Sequence, residues 1–126
     1  MVTTGERRPD GTAERAIEKI QLFKADFFRA LAHPVRIRIL EVLGSGEHTV
    51  HELQQTLGLE QPLVSQQLAI LRGKNVVAAR KVGTTVRYAL GDPLITKLLS
   101  VAREIFNNRL IDTQTMLKEL RREGRR

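Results

Sequence analysis

Two short helical patterns, at 49–57 and 61–72, are separated only by Gly58, Leu59 and Glu60, and this spacing constrains the fold more than any other feature of the chain. Thr49 and Glu52 stand at capping-box spacing, where each side chain satisfies an amide left open at a helix start. Val50, Leu53 and Leu57 form an inner face, and Gly58 suits the left-handed C-cap. Pro62 fits the first turn of the following helix. In that helix Leu63, Val64, Leu68 and Leu71 recur at helical spacing and are expected to face a core. Two short helices joined by a tight glycine-containing turn form a helix-turn-helix, whose second helix is the one that enters a groove of DNA.

The residues left over in the second helix are unusual for a plain solvated surface, where Glu and Lys are the ordinary choices. They are Gln61, Ser65, Gln66 and Gln67, read here as the exposed side, and they are followed by Arg72 and Lys74. A glutamine amide donates and accepts together, and paired with adenine N6 and N7 it reads a base edge in the major groove.

Charge follows the same geography. The chain is +7 in all. Residues 1–58 are balanced and residues 92–117 are balanced. The excess sits at 59–91, where Arg72, Lys74, Arg80, Lys81 and Arg87 face only Glu60, and at 118–126, where Lys118, Arg121, Arg122, Arg125 and Arg126 outnumber Glu119 and Glu123. An even spread would serve solubility; a localised excess is a footprint for a polyanion.

The rest of the chain supplies a frame. Residues 1–11 lack an apolar period and read as a disordered arm. From Thr12 to Leu31, Ala13, Ile17, Ile20, Phe27 and Leu31 follow a helical period, widened by Phe23 and Phe28. His33-Pro34 breaks it, and Pro34 opens a second helix whose Val35, Ile37, Ile39, Leu40, Val42 and Leu43 imply central burial. After the glutamine helix, runs 76–82 and 85–90 flank Gly83-Thr84 and read as a hairpin, with Val86, Tyr88 and Leu90 alternating inward. Its Arg80, Lys81, Thr84, Thr85 and Arg87 are candidate contacts to phosphate.

Asp92 and Pro93 then start a helix that runs to about residue 122, far beyond the globular mean of about 11–12 residues. So long an apolar stripe cannot be covered by so small a body. A second copy of the chain is the expected cover, with Ile17, Ile20 and Phe27 of the first helix and Leu98, Ala102, Ile105 and Phe106 of the last forming the interface. The alternative is a helix folded back on its own domain, broken at Asn107-Asn108. The expected organisation is an arm at 1–11, one mainly α domain with a β-hairpin wing at 12–120 in the order ααααββα, and a basic tail at 121–126.

This order, with Leu31-Ala32-His33-Pro34-Val35-Arg36-Ile37-Arg38-Ile39-Leu40, Val50-His51-Glu52-Leu53 and Val64-Ser65-Gln66-Gln67-Leu68-Ala69-Ile70-Leu71, resembles the ArsR-type winged helix-turn-helix repressors of bacteria. Val76-Val77, Arg80, Gly83 and Tyr88-Ala89-Leu90 complete the resemblance, which spans about residues 18–110. It implies a dimer through the first and last helices, a double-stranded operator as partner, and release by an inducer. It places the recognition helix at 61–73 and the wing at 80–87. Gln67 stands where the family often has histidine, and Asn75 where it often has glycine, a position asparagine tolerates.

The sensor positions of the family do not carry over. The chain has no cysteine, so it holds no thiolate ligand and no thiol switch, and Leu53-Gln54-Gln55-Thr56 replaces the cysteine-containing metal stretch of the third helix. Residues 92–126 contain no histidine for a site between the last helices. His33 reads as a cap or packing residue. Glu47, His48, His51 and Glu52 are metal-capable, yet His48 precedes the cap and His51 lies in the first turn, while zinc needs three or four converging ligands. No cofactor, metal or catalytic constellation is expected, and the inducing signal stays open. No apolar run reaches the roughly 18 residues of a membrane span, and no signal-peptide pattern is seen, so a cytoplasmic protein on the nucleoid is expected. A nucleoid-type architectural protein, binding DNA without sequence preference through wing and tail, remains the alternative; its affinity would fall with salt alike on all sequences.

Overall fold

The computed structural model describes residues 11–124; the arm read at 1–11 and the last two residues of the basic tail lie almost wholly outside that range. Five helices and one hairpin follow in the order α1 (Thr12–Leu31), α2 (Pro34–Leu43), α3 (Val50–Leu57), α4 (Gln61–Gly73), β1 (Val77–Val82), β2 (Thr85–Leu90) and α5 (Leu94–Gly124).

Local chemistry sets most boundaries. The Val35 amide donates to Nδ1 of His33 (3.1 Å), so His33 is the N-cap of α2. At α3 the capping box is complete: the Thr49 amide donates to Glu52 Oε1 (2.9 Å) and the Glu52 amide to Thr49 Oγ1 (3.1 Å). Gly58 ends α3 in the left-handed conformation (φ 67°). Asn75 turns the chain out of α4 at φ 61°, which asparagine adopts at small penalty. The Leu94 amide donates to Asp92 Oδ1 (2.8 Å), and α5 then runs unbroken through Asn107-Asn108 to Gly124. The break considered for that helix is absent, and the described part of the basic tail, residues 121–124, belongs to its last turn.

The core lies where α2, α3 and α4 cross. Ile39, Leu40, Leu53, Val64, Leu68 and Leu71 are fully buried, joined by Leu43, Val76 and Val77. Burying each such side chain contributes roughly 1.5–3 kcal/mol. The hairpin is sealed to this core. β1 and β2 pair antiparallel with Val77 opposite Leu90, Ala79 opposite Tyr88 and Lys81 opposite Val86. Side chains alternate between faces, and Val77, Tyr88 and Leu90 mark the inward one. At the stem the Gly91 amide donates to the Val76 carbonyl (2.8 Å), and a Cβ at Gly91 would stand 2.5 Å from the Asn75 carbonyl oxygen, so this closure requires glycine.

α1 and α5 stand apart from this core. In α1 only Ala30 and Leu31 are buried, and in α5 only Ile95. Ile17, Ile20, Ile105 and Phe106 are exposed, Ala102 is half-buried, and Phe27 and Leu98 pack partly on the core of their own chain. Beyond them Leu110, Leu117 and Leu120 continue an apolar exposed edge along α5, which is about 46 Å long at 1.5 Å per residue. An apolar recess of about 380 Å³ lies between α1, α2 and α5, with Phe28, Leu31, Ile37 and Phe106 in its wall. Arg103 donates to Glu41 (2.8 Å) at its rim.

Candidate nucleic-acid interface

α4 is anchored by one stripe and offers the opposite one. Val64, Leu68 and Leu71 are turned inward; Gln61, Pro62, Gln66, Ala69 and Arg72 are exposed, and Ser65 is half-buried between the two sides. Gln67 departs from the sequence reading. It is only 6% exposed, and its Oε1 meets no donor among the described residues. The cause is angular: Gln67 follows Val64 by three residues and precedes Leu71 by four, so helical geometry puts it on the buried stripe whatever its polarity. Gln66, about 100° further round than its neighbour Ser65, remains outside.

A groove of about 680 Å³ opens beside this exposed face. Its floor and one wall are Thr49, Val50, His51 and Gln54 of the α3 start together with Gln61; its other wall is the wing, through Thr84, Thr85, Val86 and Tyr88. Lys81, opposite Val86 in the register, shares that face of the hairpin. His51 and Gln54 enter the site only through this tertiary arrangement. Their signal in the sequence was their position on the outer side of the first helix of the motif.

The basic residues divide into two sets. Among the described residues Arg72 and Lys81 make no ion pair, whereas Lys74 pairs with Asp26 of α1 (3.1 Å) and Arg80 and Arg87 are held by acidic partners. Arg80 grips Glu47 with two bonds, Nη2 to Oε1 (2.6 Å) and Nε to Oε2 (3.2 Å). Arg87 approaches the same carboxylate through Nε (3.4 Å), donates from Nη2 to the Glu47 carbonyl (3.2 Å) and lies 3.7 Å from Glu52. The Arg80 hydrogen bonds hold the Glu47 carboxyl below its ordinary range, with the charges of Arg80 and Arg87 adding to them. The Thr49 amide does the same for Glu52, helped by Arg87. The Arg80 guanidinium is pushed up in turn by Glu47. Next to Glu47, His48 and Tyr88 exchange two backbone bonds (3.0 and 2.8 Å), so the α2–α3 loop adds one rung to the outer edge of β2. Nothing in the sequence announced that rung. With Glu47 committed to arginines, the Glu47/His48/His51/Glu52 cluster is dispersed: among the described residues no three metal-capable side chains converge.

A helix-turn-helix with an exposed amide face, a β-hairpin wing beside it and free cations on its DNA-facing side defines a winged helix-turn-helix DNA-binding protein. Residues 33–79 match the family described as bacterial regulatory protein, arsR family. The chain is 44% identical over 108 residues to the uncharacterized HTH-type transcriptional regulator Rv0081 of Mycobacterium tuberculosis, covering 85% of this chain and 95% of that one. It is 35% identical over 101 residues to a biofilm growth-associated repressor of Xylella fastidiosa, covering 80% and 88%. The crystal structure of M. tuberculosis Rv0081 superposes with a TM-score of 0.68 at 45% identity, over 75% of this chain and 95% of that one. That of the transcriptional repressor BigR from X. fastidiosa gives 0.64 at 33%, over 74% and 95%. The chain belongs to the arsR family of bacterial regulatory proteins and is a transcription regulator, not an enzyme. Among its described residues no helix is long and apolar enough to cross a membrane.

Proposed function

We propose that this chain is a repressor that binds an inverted-repeat operator as a homodimer, each copy placing α4 in a major groove. The observation that carries the reading is the pair of exposed amides on α4, Gln61 and Gln66, with Gln61 lining the groove that the wing closes from the other side. An amide can donate to and accept from a base edge at once, whereas a phosphate oxygen uses only its donor, and this favours sequence-specific binding over a nucleoid-type role.

In this reading Gln61, Ser65 and Gln66 meet base edges. Arg72, Lys81, Thr84 and Thr85 meet the backbone, and His51 and Gln54 line the path of the strand between α3 and the wing. Arg80 and Arg87 act at the stem of the wing, and Lys74 ties α4 to α1. The second copy covers the apolar sides of α1 and α5, bringing Ile17, Ile20, Ile105 and Phe106 out of water; with two-fold symmetry the two recognition helices then lie one helical turn apart, about 10 bp. The protein works on DNA in the cytoplasm. Its release does not run through thiolates, since the chain contains none. Selection from a pool of randomised duplexes tests the reading: an enriched inverted repeat supports it, and a pool that stays random hands the protein to the nucleoid-type alternative.

A further inference from the structure

The wing of this protein carries an internal electrostatic conflict. Arg80 and Arg87 are directly opposed across the hairpin, so their side chains share one face. Like charges opposite one another destabilise a strand pair, and a two-stranded hairpin alone is marginal in water. Glu47 lies against both. It comes from the loop before α3, 33 residues from Arg80, and its carboxylate takes the fork of one arginine and the Nε of the other while its carbonyl takes the remaining Nη2 of Arg87. Arg87 in turn lies near Glu52, the residue that closes the α3 capping box. The start of the helix-turn-helix and the stem of the wing are thus joined through Glu47, through the longer Arg87–Glu52 pair and through one backbone rung at His48–Tyr88.

The two arginines lie on the face of the hairpin opposite to the one that Val86 and Tyr88 turn to the groove, by the alternation of the register. They are therefore poorly placed to reach a strand lying in that groove. Their effect on DNA passes through the angle of the wing, which decides where Thr84, Thr85 and Lys81 stand relative to α4.

We propose that Glu47 is a positioning residue for DNA binding: by holding Arg80 and Arg87 together it fixes the wing against the helix-turn-helix at the elevation the DNA backbone requires. The proposal rests on the DNA-binding reading given above. The competing arrangement, in which Glu47 masks the arginines from phosphate, predicts the opposite signs and is decided by the same experiment.

The full chain is compared with Glu47→Gln, which keeps the shape and removes the charge, and with Arg80→Met, which cuts the same fork from the wing side. The probe is the duplex that the wild-type chain selects from a randomised pool, with a shuffled duplex beside it. Tyr88 is the only tyrosine and the chain has no tryptophan, so acrylamide quenching of tyrosine emission reads the wing alone. Positioning by Glu47 predicts unchanged helix content, stronger Tyr88 quenching, and affinity for the selected duplex lower by about tenfold, as expected for losing a hydrogen bond or two to charged phosphate. The slope of log affinity against log salt becomes shallower by about one, for the lost Lys81 contact. The double variant is then no worse than either single one. Affinity that rises with a slope steeper by about two overturns the proposal in favour of masking, and affinity and slope that stay unchanged overturn it outright. If Glu47→Gln does not fold, the Arg80→Met variant decides: positioning requires increased quenching with lost affinity, and a loss of affinity with unchanged quenching contradicts it. A wild-type chain that prefers no duplex refutes the DNA-specific reading instead, a result seen before any variant is made.

Discussion

Gln66 and Gln67 are neighbours in the chain and stand on different sides of α4: Gln66 is exposed, and Gln67 is 6% exposed on the stripe of Val64, Leu68 and Leu71. The two amides therefore answer differently to substitution. Gln66→Ala lowers affinity for the selected duplex by ~1–3 kcal/mol, the worth of a base contact, and leaves the melting temperature nearly unchanged. A titration showing equal affinity of variant and parent on that duplex removes Gln66 from the reading set.

Gln67→Met has the other phenotype. The Oε1 of Gln67 is buried without a donor among the described residues, and an unsatisfied buried polar group costs about 1–3 kcal/mol. Methionine is nearly the same size and removes the polar atom. Thermal unfolding should shift upward by several degrees, with DNA affinity retained. A lower melting temperature would show that the amide has a partner that the variant breaks.

Gly91→Ala tests the seam between α4 and the hairpin. Its new Cβ would meet the Asn75 carbonyl oxygen at 2.5 Å, a backbone atom that cannot move aside cheaply. A loss of about 1–3 kcal/mol is expected, as for overpacking, read by denaturant midpoint. The same change at Gly73, where a Cβ meets nothing within 4 Å, serves as control.

Acid should release the wing before it unfolds the core. The carboxyls of Glu47 and Glu52 have pKa values lowered in the folded protein from 4.5, chiefly by Arg80 and by the Thr49 amide respectively. A lowered folded-state pKa means that the open state binds protons more readily, so this stabilisation is present above about pH 4.5 and is lost as pH falls through the lowered values. Tyr88 quenching is expected to rise in that window while helix content holds. In Glu47→Gln the rise is smaller, with only Glu52 left to titrate. Quenching that is flat down to the unfolding of the helices would contradict the assignment.

The dimer surface yields a fifth test. Phe106 is 65% exposed and Ile105 49% exposed in the single chain. Phe106→Glu should reduce the sedimenting mass from about twice 14.3 kDa to the monomer value and weaken binding to the inverted repeat far more than to a single half-site. A wild-type chain that sediments as a monomer at all concentrations would remove the second copy from the account.

What was legible in the sequence was the local part. Thr49 with Glu52, Pro34, Gly58, Asn75 and Asp92 each act within four residues of themselves, and each ends or starts an element where its chemistry says it should. The hairpin register follows from Gly83 (φ 64°) and the alternation of Val86, Tyr88 and Leu90. The site was legible only as far as identity coincided with angle. Gln61 and Gln66 stand where expected, but Gln67 is polar in kind and inward in direction, and a reading by residue type placed it with its neighbour. Arg80 and Arg87 read as candidate phosphate contacts, and their pairing with Glu47 went unread because that residue is remote in sequence and carries no mark of pairing. His51 and Gln54 carried only their position on the outer side of α3 as a signal, because they join the groove only when α3 meets the wing.

The central claim is that the exposed amide face of α4 reads sequence. The most direct measurement is a fluorescence-anisotropy titration of the wild-type chain, at physiological salt, against the duplex it selects from a randomised pool and against a shuffled duplex of the same composition. Sequence-specific regulators typically prefer their site by roughly 10³-fold or more, and the account predicts a preference of that order, reduced in Gln66→Ala. Equal affinities for the two duplexes, falling together as salt is raised, would contradict it.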